Sequence, residues 1–268
     1  MATTNLPDLL DKMWTDYTTM NPQALNIYQL FQKQGDDVQN DHIALRTFND
    51  PRVGIDVLAQ PFLDSGYQYG QDYHFTEKKL YAKHFQHPDE QYPKIFISEL
   101  KLEEFDEALQ TTVRELIDQI PEGQPQASDF CSQGRPWVVS YETYERLRET
   151  SEYAAWMAAH GYRPNHFTVL VNKLSTLNDI VAVNEFIKSA GFALNDSGGE
   201  IKGSPEVFLE QSSTLADTVE VDFADGPQRV PACYYEFAQR YPLPSGELYQ
   251  GFVATSADKI FESTDKGQ

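Results

Sequence analysis

The sequence has little cysteine, few basic residues and no long apolar run, and each scarcity excludes a class of protein. Its two cysteines, Cys131 and Cys233, form no disulfide framework or zinc knuckle, so we expect half-buried thiols in a reducing compartment. Lysine and arginine total 21 against 41 acidic residues, a formal net charge of -20, which disfavours nucleic acid and anionic membranes as partners. No apolar run is long enough to span a membrane, and the first residues do not resemble a secretory signal, so we expect a cytoplasmic protein.

Aromatic residues are plentiful, with 16 Phe and 15 Tyr among 268 residues, enough to bury a core. Apolar spacing and turn signals predict five segments: N-terminal helices over 1–40, a β-α-β-β-β module over 41–100, a helical insertion over 101–164 with helices at 103–120 and 141–160, a second β-α-β-β-β module over 165–240, and a closing segment over 241–268.

The two modules align without gaps. Residues 41–45 align on 165–169, and residues 93–98, which begin with a proline, align on 231–236. Two modules of this kind pair into an open, curved sheet that cups a metal. We therefore predict an α+β, vicinal-oxygen-chelate-like fold with added helices at the N-terminus and between the modules.

Three side chains in this repeat are candidate metal ligands. His42 and His166 occupy the same place in the two first strands, and a pseudo-twofold axis would bring them together. Glu236 lies on the last strand of module two; its aligned position in module one is Ser98, a poor ligand, and Glu99 points to the opposite face. Two imidazoles and one carboxylate suit a non-haem iron site, although Zn(II), Ni(II) or Mn(II) stay open.

Arg46 is the candidate anchor for an anionic substrate. A charge of -20 repels anions, so a site for one needs a local cation. Arg46 lies four residues after His42, on the same face of a strand, and its fork can pair with a carboxylate. The aligned residue in module two is Leu170, so the fold does not require this charge. A surface salt bridge is the alternative.

The remaining histidines carry no predicted chemistry. His84 and His87, at a strand end beside a proline turn, are predicted to be solvated, whereas His74 and His160 are predicted to be structural. The C-terminal segment 251–264 is too apolar for a free tail. We expect it to pack across the mouth of the cup, with Ser256 near the substrate, or else to dock on the outer surface.

Several motifs resemble the 2-oxoadipate dioxygenase/decarboxylase family: residues 41–47, 95–100, 165–168, 234–237 and 251–264. The resemblance spans nearly the whole chain. It implies Fe(II) on two histidines and one glutamate, which fall on His42, His166 and Glu236, and a substrate-gripping arginine, which falls on Arg46. It also implies conversion of 2-oxoadipate and O2 into 2-hydroxyglutarate and CO2, in lysine catabolism. The characterised type is longer than this chain, so the exact 2-oxo acid stays open.

These observations predict an Fe(II) dioxygenase that decarboxylates and hydroxylates a 2-oxo acid, with that small molecule and O2 as its partners. Two alternatives stay open. One is a non-oxidative isomerase, lyase or hydrolase that uses another divalent metal on the same fold. The other is a non-catalytic protein that binds a small ligand between the modules.

Overall fold

Two helices, α1 (Leu6–Met20) and α2 (Pro22–Gln34), begin the part of the chain that the computed structural model describes, residues 5–253. Each has a proline in its first turn, where the missing N–H costs nothing. α1 buries Met13 and Tyr17 at helical spacing. The Tyr17 ring lies 5.0 Å from that of Phe167, so the predicted N-terminal helices pack behind the second module.

The first module has the predicted element order. It consists of β1 (Asn40–Phe48), α3 (Ile55–Asp64), β2 (Gln68–Phe75), β3 (Leu80–Gln86) and β4 (Lys94–Leu100). β1 is buried along almost its whole length, which is typical of a central strand covered on both faces.

The insertion between the modules differs from its prediction. α4 (Glu107–Ile117) is shorter than the predicted helix over 103–120. The single helix predicted over 141–160 is wrong, because the chain forms α5 (Tyr141–Thr150) and α6 (Glu152–His160). Ser151 separates them: its backbone is extended and its side chain accepts the N–H of Ala154, so it caps a new helix.

The second module is less regular. It contains β5 (Pro164–Leu170), α7 (Ile180–Ser189), β6 (Lys202–Ser204), β7 (Leu209–Ser213), β8 (Thr218–Phe223), β9 (Gly226–Pro231) and β10 (Glu236–Arg240). β8 and β9 form a separate two-stranded sheet, so they do not extend the sheet of the module. Leu194 forms an isolated bridge with Thr214 outside these strands.

The two modules pair into one eight-stranded sheet, in the order β2-β3-β4-β1-β5-β10-β7-β6. The two halves of the sheet are related by a local twofold axis at the antiparallel β1–β5 pair. Ile43 faces Phe167 across this pair, His42 faces Thr168, and Ala44 faces His166. The predicted paired-module, α+β fold is confirmed, and its local twofold axis passes between the two histidine positions.

The gapless alignment of Ser98 on Glu236 is wrong by two residues. Glu236 pairs with Thr168, two residues after His166, whereas Ser98 pairs with Arg46, four residues after His42. The last strand of module two starts at Glu236 rather than directly after Pro231. A shift of two keeps a side chain on the same face of a sheet, so Glu236 still points towards the histidines.

The cysteines lie deeper than predicted. Cys131 and Cys233 are 2% and 0% exposed, and burial raises the pKa of the Cys131 thiol to about 12, as expected for inert core thiols. Within residues 5–253, no helix is both long and apolar enough to cross a membrane.

Candidate metal centre

His42 on β1, His166 on β5 and Glu236 on β10 converge at the twofold axis. The two Nε2 atoms lie 3.4 Å apart. Each is also 3.4 Å from a different oxygen of the Glu236 carboxylate. All three side chains are buried, and one ligand atom from each lies within 4.8 Å of the others. The structure thus brings together the three residues that the repeat singles out.

The residue before each histidine orients its ring. Nδ1 of His42 lies 2.8 Å from an oxygen of Asp41, and Nδ1 of His166 lies 3.1 Å from Oδ1 of Asn165. Because these oxygens accept hydrogen bonds, we assign the proton of each ring to Nδ1, which leaves the Nε2 lone pair facing the centre. A buried acceptor behind each ring is the usual support of metal-binding histidines.

Arg240 holds Asp41 from behind. Its Nε and Nη2 donate to the two Asp41 oxygens at 2.6 and 2.8 Å, and both side chains are buried. Burial alone raises the pKa of Asp41, but the charges of Arg240 and Lys94 outweigh it and hold that pKa well below its usual range. Asp41 therefore stays ionised and can accept a hydrogen bond from Nδ1–H of His42.

Glu236 lies in an environment that disfavours its ionised form. Burial raises the pKa of its carboxyl group to about 8, although Gln211 donates a hydrogen bond to it at 2.6 Å. Burial also lowers the pKa of His42. The pKa of His166 lies well below its usual value because the ring is buried and because His42 and Arg46 are close to it. The imidazoles are consequently neutral, the state in which they ligate metals.

This donor set fits a divalent cation. Two nitrogen lone pairs and a carboxylate point at one another at 3.4 Å, an arrangement that a proton or a cation between them must stabilise. A bound metal would stabilise the ionised form of Glu236, which burial otherwise disfavours. The three ligands come from adjacent strands and line a cavity, so a metal held by them would be accessible to further ligands from the cavity.

The cavity beside these residues is small, because protein side chains occupy most of the space around it. It encloses about 30 Å³, room for an ion or a water molecule. Phe252 covers it, with its ring 4.8 Å from that of His42. Its backbone N–H donates to the Tyr73 hydroxyl at 3.1 Å, and Arg240 donates to the carbonyl oxygen of Gly251 at 2.8 Å. Residues 251 and 252 of the closing segment are thereby held above the site.

Arg46 also lines this cavity. It is 3% exposed, so it is not the surface residue of the alternative interpretation. Its guanidinium carbon lies 4.9 Å from the ring centres of Tyr153 and of Trp156 on α6. The Tyr153 hydroxyl donates to the carbonyl oxygen of Ser98 at 2.7 Å. The insertion between the modules therefore supplies an aromatic platform for the arginine.

Sequence reasoning missed the residues that support this centre. Asp41 and Asn165 had a signal, because the aligned repeat places an oxygen-bearing side chain directly before each histidine. The aligned repeat contains no such signal for Gln211, Arg240 or Tyr234. The Tyr234 ring stacks on His166 with centroids 4.7 Å apart. Burial, followed by the charge of Glu236, raises the Tyr234 pKa well above its usual value, so its hydroxyl keeps its proton.

Two of the minor histidine predictions are wrong. His84 is 3% exposed rather than solvated, because Phe252 and Tyr73 cover it; its Nδ1 lies 2.8 Å from the Tyr73 hydroxyl. His74 is exposed rather than structural. His160 is buried, with Nε2 2.8 Å from a backbone carbonyl oxygen, as a structural role requires. Ser256 lies outside the described residues.

Comparisons with known proteins match the predicted resemblance. The family model for 2-oxoadipate dioxygenase/decarboxylase matches residues 3–134 and 126–247. A chloroplastic 2-oxoadipate dioxygenase/decarboxylase from Arabidopsis thaliana is 36% identical over an alignment of 287 positions that covers 97% of this chain and 77% of the relative.

Two crystal structures share the whole fold. The hydroxyglutarate synthase from Oryza sativa, in complex with 2-oxoadipate, has a TM-score of 0.91 and 35% identity, covering 97% of this chain and 91% of that one. A putative hydrolase from Shewanella frigidimarina NCIMB 400 has a TM-score of 0.90 and 52% identity, covering 94% of this chain and 98% of that one. Since the family model and these relatives span most of its length, the chain belongs to the 2-oxoadipate dioxygenase/decarboxylase family.

Proposed function

We propose that this protein is a mononuclear, non-haem Fe(II) dioxygenase. Its substrate is a 2-oxo dicarboxylic acid like 2-oxoadipate, which it converts with O2 into CO2 and a 2-hydroxy acid one carbon shorter. The observation that carries the proposal is the buried group of His42, His166 and Glu236, with contacts of 3.4 Å, in a chain of this family. A cytoplasmic location and a place in lysine catabolism are part of the proposal.

His42, His166 and Glu236 would hold the metal. When bound there, Fe(II) supplies a redox-active centre with open positions for an O2-dependent oxidative decarboxylation. The protein's own contribution starts with Asp41 and Asn165, whose oxygens, 2.8 and 3.1 Å from the Nδ1 atoms, keep both rings in the tautomer that ligates.

Arg46 is proposed to hold a carboxylate of the substrate. It is buried in the cavity beside the ligands, so its charge is little screened by water. The protein's formal charge of -20 repels an anionic 2-oxo acid at long range, and a local cation must overcome this repulsion. Phe252, whose ring lies against His42, excludes bulk water from the same space.

Phe252 covers the cavity and comes from the closing segment rather than from the sheet, so it is the candidate residue to move when a six-carbon diacid enters.

The decisive test is metal analysis of protein purified without air, followed by measurement of O2 uptake with 2-oxoadipate. We expect one iron per chain and equal amounts of O2 consumed, CO2 released and 2-hydroxyglutarate formed. The six-carbon monoacid 2-oxohexanoate, which lacks the second carboxylate, serves as the comparison substrate and should react more slowly.

Other results would support the alternatives. A different metal with turnover that consumes no O2 would indicate a non-oxidative enzyme, the class to which the description of the Shewanella frigidimarina relative points. Protein without metal that still binds the 2-oxo acid would indicate a binding protein.

A further inference from the structure

Three buried polar atoms around the metal-centre cavity have no hydrogen-bond partner in the described structure. They are the hydroxyl group of Tyr234, Nδ2 of Asn165 and Oε1 of Gln211, and all three residues line the cavity. A buried polar group without a partner destabilises a protein, and such groups in native structures call for an explanation. Their convergence on one cavity indicates a site that a polar ligand completes.

Contacts of the Tyr234 ring and of the neighbouring backbone restrict the position of the Tyr234 hydroxyl group. Its ring stacks on His166 at an interplanar angle of 28°. The Tyr17 hydroxyl donates to the Tyr234 carbonyl oxygen at 2.5 Å. The next residue is fixed as well, because the N–H of Tyr235 donates to Oγ1 of Thr214 at 3.0 Å. The hydroxyl is therefore preorganised, with its position set before any ligand arrives.

We propose that Tyr234 is a substrate-binding residue whose hydroxyl donates a hydrogen bond to an oxygen atom of the bound 2-oxo acid. A neutral phenol is a donor, and an oxygen of a carboxylate or keto group is the acceptor it lacks. Arg46 lines the same cavity and favours an anion there. The inference rests on the proposed function, since it takes the ligand to be a 2-oxo acid.

Tyr235 provides a matched comparison. Its hydroxyl is also buried and without a partner in the described residues, and its side chain is 0% exposed, like that of Tyr234. However, Tyr235 packs against Trp14, Tyr17 and Phe237, on the side of the sheet away from the cavity. Lack of a partner alone therefore does not identify a binding residue; the position in the cavity does.

The test compares Tyr234→Phe with Tyr235→Phe. Both changes remove one unpaired hydroxyl and keep the ring, so both variants should resist denaturant at least as well as the parent. Iron content should be unchanged in both. Binding of 2-oxoadipate to the iron-loaded proteins, measured by calorimetry without O2, should weaken by about tenfold or more in Tyr234→Phe, and KM should rise correspondingly. Tyr235→Phe should bind like the parent.

The possible results separate this inference from the proposed function. Parent-like affinity and KM in Tyr234→Phe would overturn the inference and leave the proposed function intact. An equal loss in both variants would also overturn it, since a general packing change would then be the cause. A parent protein that binds no 2-oxo acid would overturn the proposed function and the inference with it.

Discussion

Replacing Arg46 tests the proposed substrate class directly. Arg46→Ala removes a buried guanidinium from the cavity that holds His42, His166 and Glu236. A hydrogen-bonded pair with a charged group typically contributes about 1.5–3 kcal/mol. Its loss should therefore lower kcat/KM for 2-oxoadipate roughly ten- to a hundredfold. Iron content should stay at the parent level, because Arg46 is not a proposed ligand.

The structural cost of this change is separately measurable. The guanidinium carbon lies 4.9 Å from two ring centres, and contacts of this kind contribute about 0.5–2 kcal/mol each. Some of that loss is offset because the variant no longer buries a charge. Chemical denaturation should show a modestly lower free energy of unfolding, and assays well below the unfolding temperature keep this effect out of the kinetics.

Two further variants complete the Arg46 test. Arg46→Lys keeps the charge but loses the planar fork, so activity should recover only in part. Arg135→Ala removes another arginine that lies over an aromatic ring, at 5.6 Å from Phe223, but Arg135 does not line the cavity; it should retain parent kinetics. If Arg46→Ala turns over 2-oxoadipate as efficiently as the parent, the arginine does not bind substrate and the substrate class must be reconsidered.

Three other predictions follow from the centre. His42→Ala, His166→Ala and Glu236→Ala should each fold but lose both iron and turnover; normal metal content in any one of them would remove that residue from the ligand set. Asp41→Asn should weaken iron binding by about ten- to a hundredfold, as measured by competition with a chelator, because the amide lacks the negative charge that polarises the His42 ring and turns an N–H group towards Arg240; unchanged affinity would show that the carboxylate charge does not contribute to metal binding. Phe252→Ala should speed the loss of iron to a chelator, since the ring covers the cavity, and an unchanged rate would show that Phe252 does not close the site.

The sequence was a good guide where a residue's neighbours are local or repeated. The aligned positions of His42 and His166 predicted a common centre because a repeated module must place equivalent positions around a twofold axis. The alignment of Ser98 on Glu236 failed because it assumed equal strand lengths. The structure instead starts the last strand at Glu236 and shifts its register by two, an even shift that left the predicted face unchanged.

Other features depend on contacts that no local pattern encodes. The burial of His84 comes from Phe252, which lies far along the chain and packs 5.4 Å from it. The split of the predicted helix over 141–160 results from the N-cap bond of Ser151, a preference that competed with continuous helical spacing.

The sequence by itself determined the module order, the pairing of the two modules and the three converging side chains, because apolar periodicity and internal repetition are properties of the chain. Only the tertiary structure decided how that centre is supported and closed. Arg240 behind Asp41, α6 beneath Arg46 and Tyr234 against His166 each join residues that are far apart in the chain. Such contacts form when the sheet folds and buries these groups together, and the same burial raises the pKa of Glu236 to about 8.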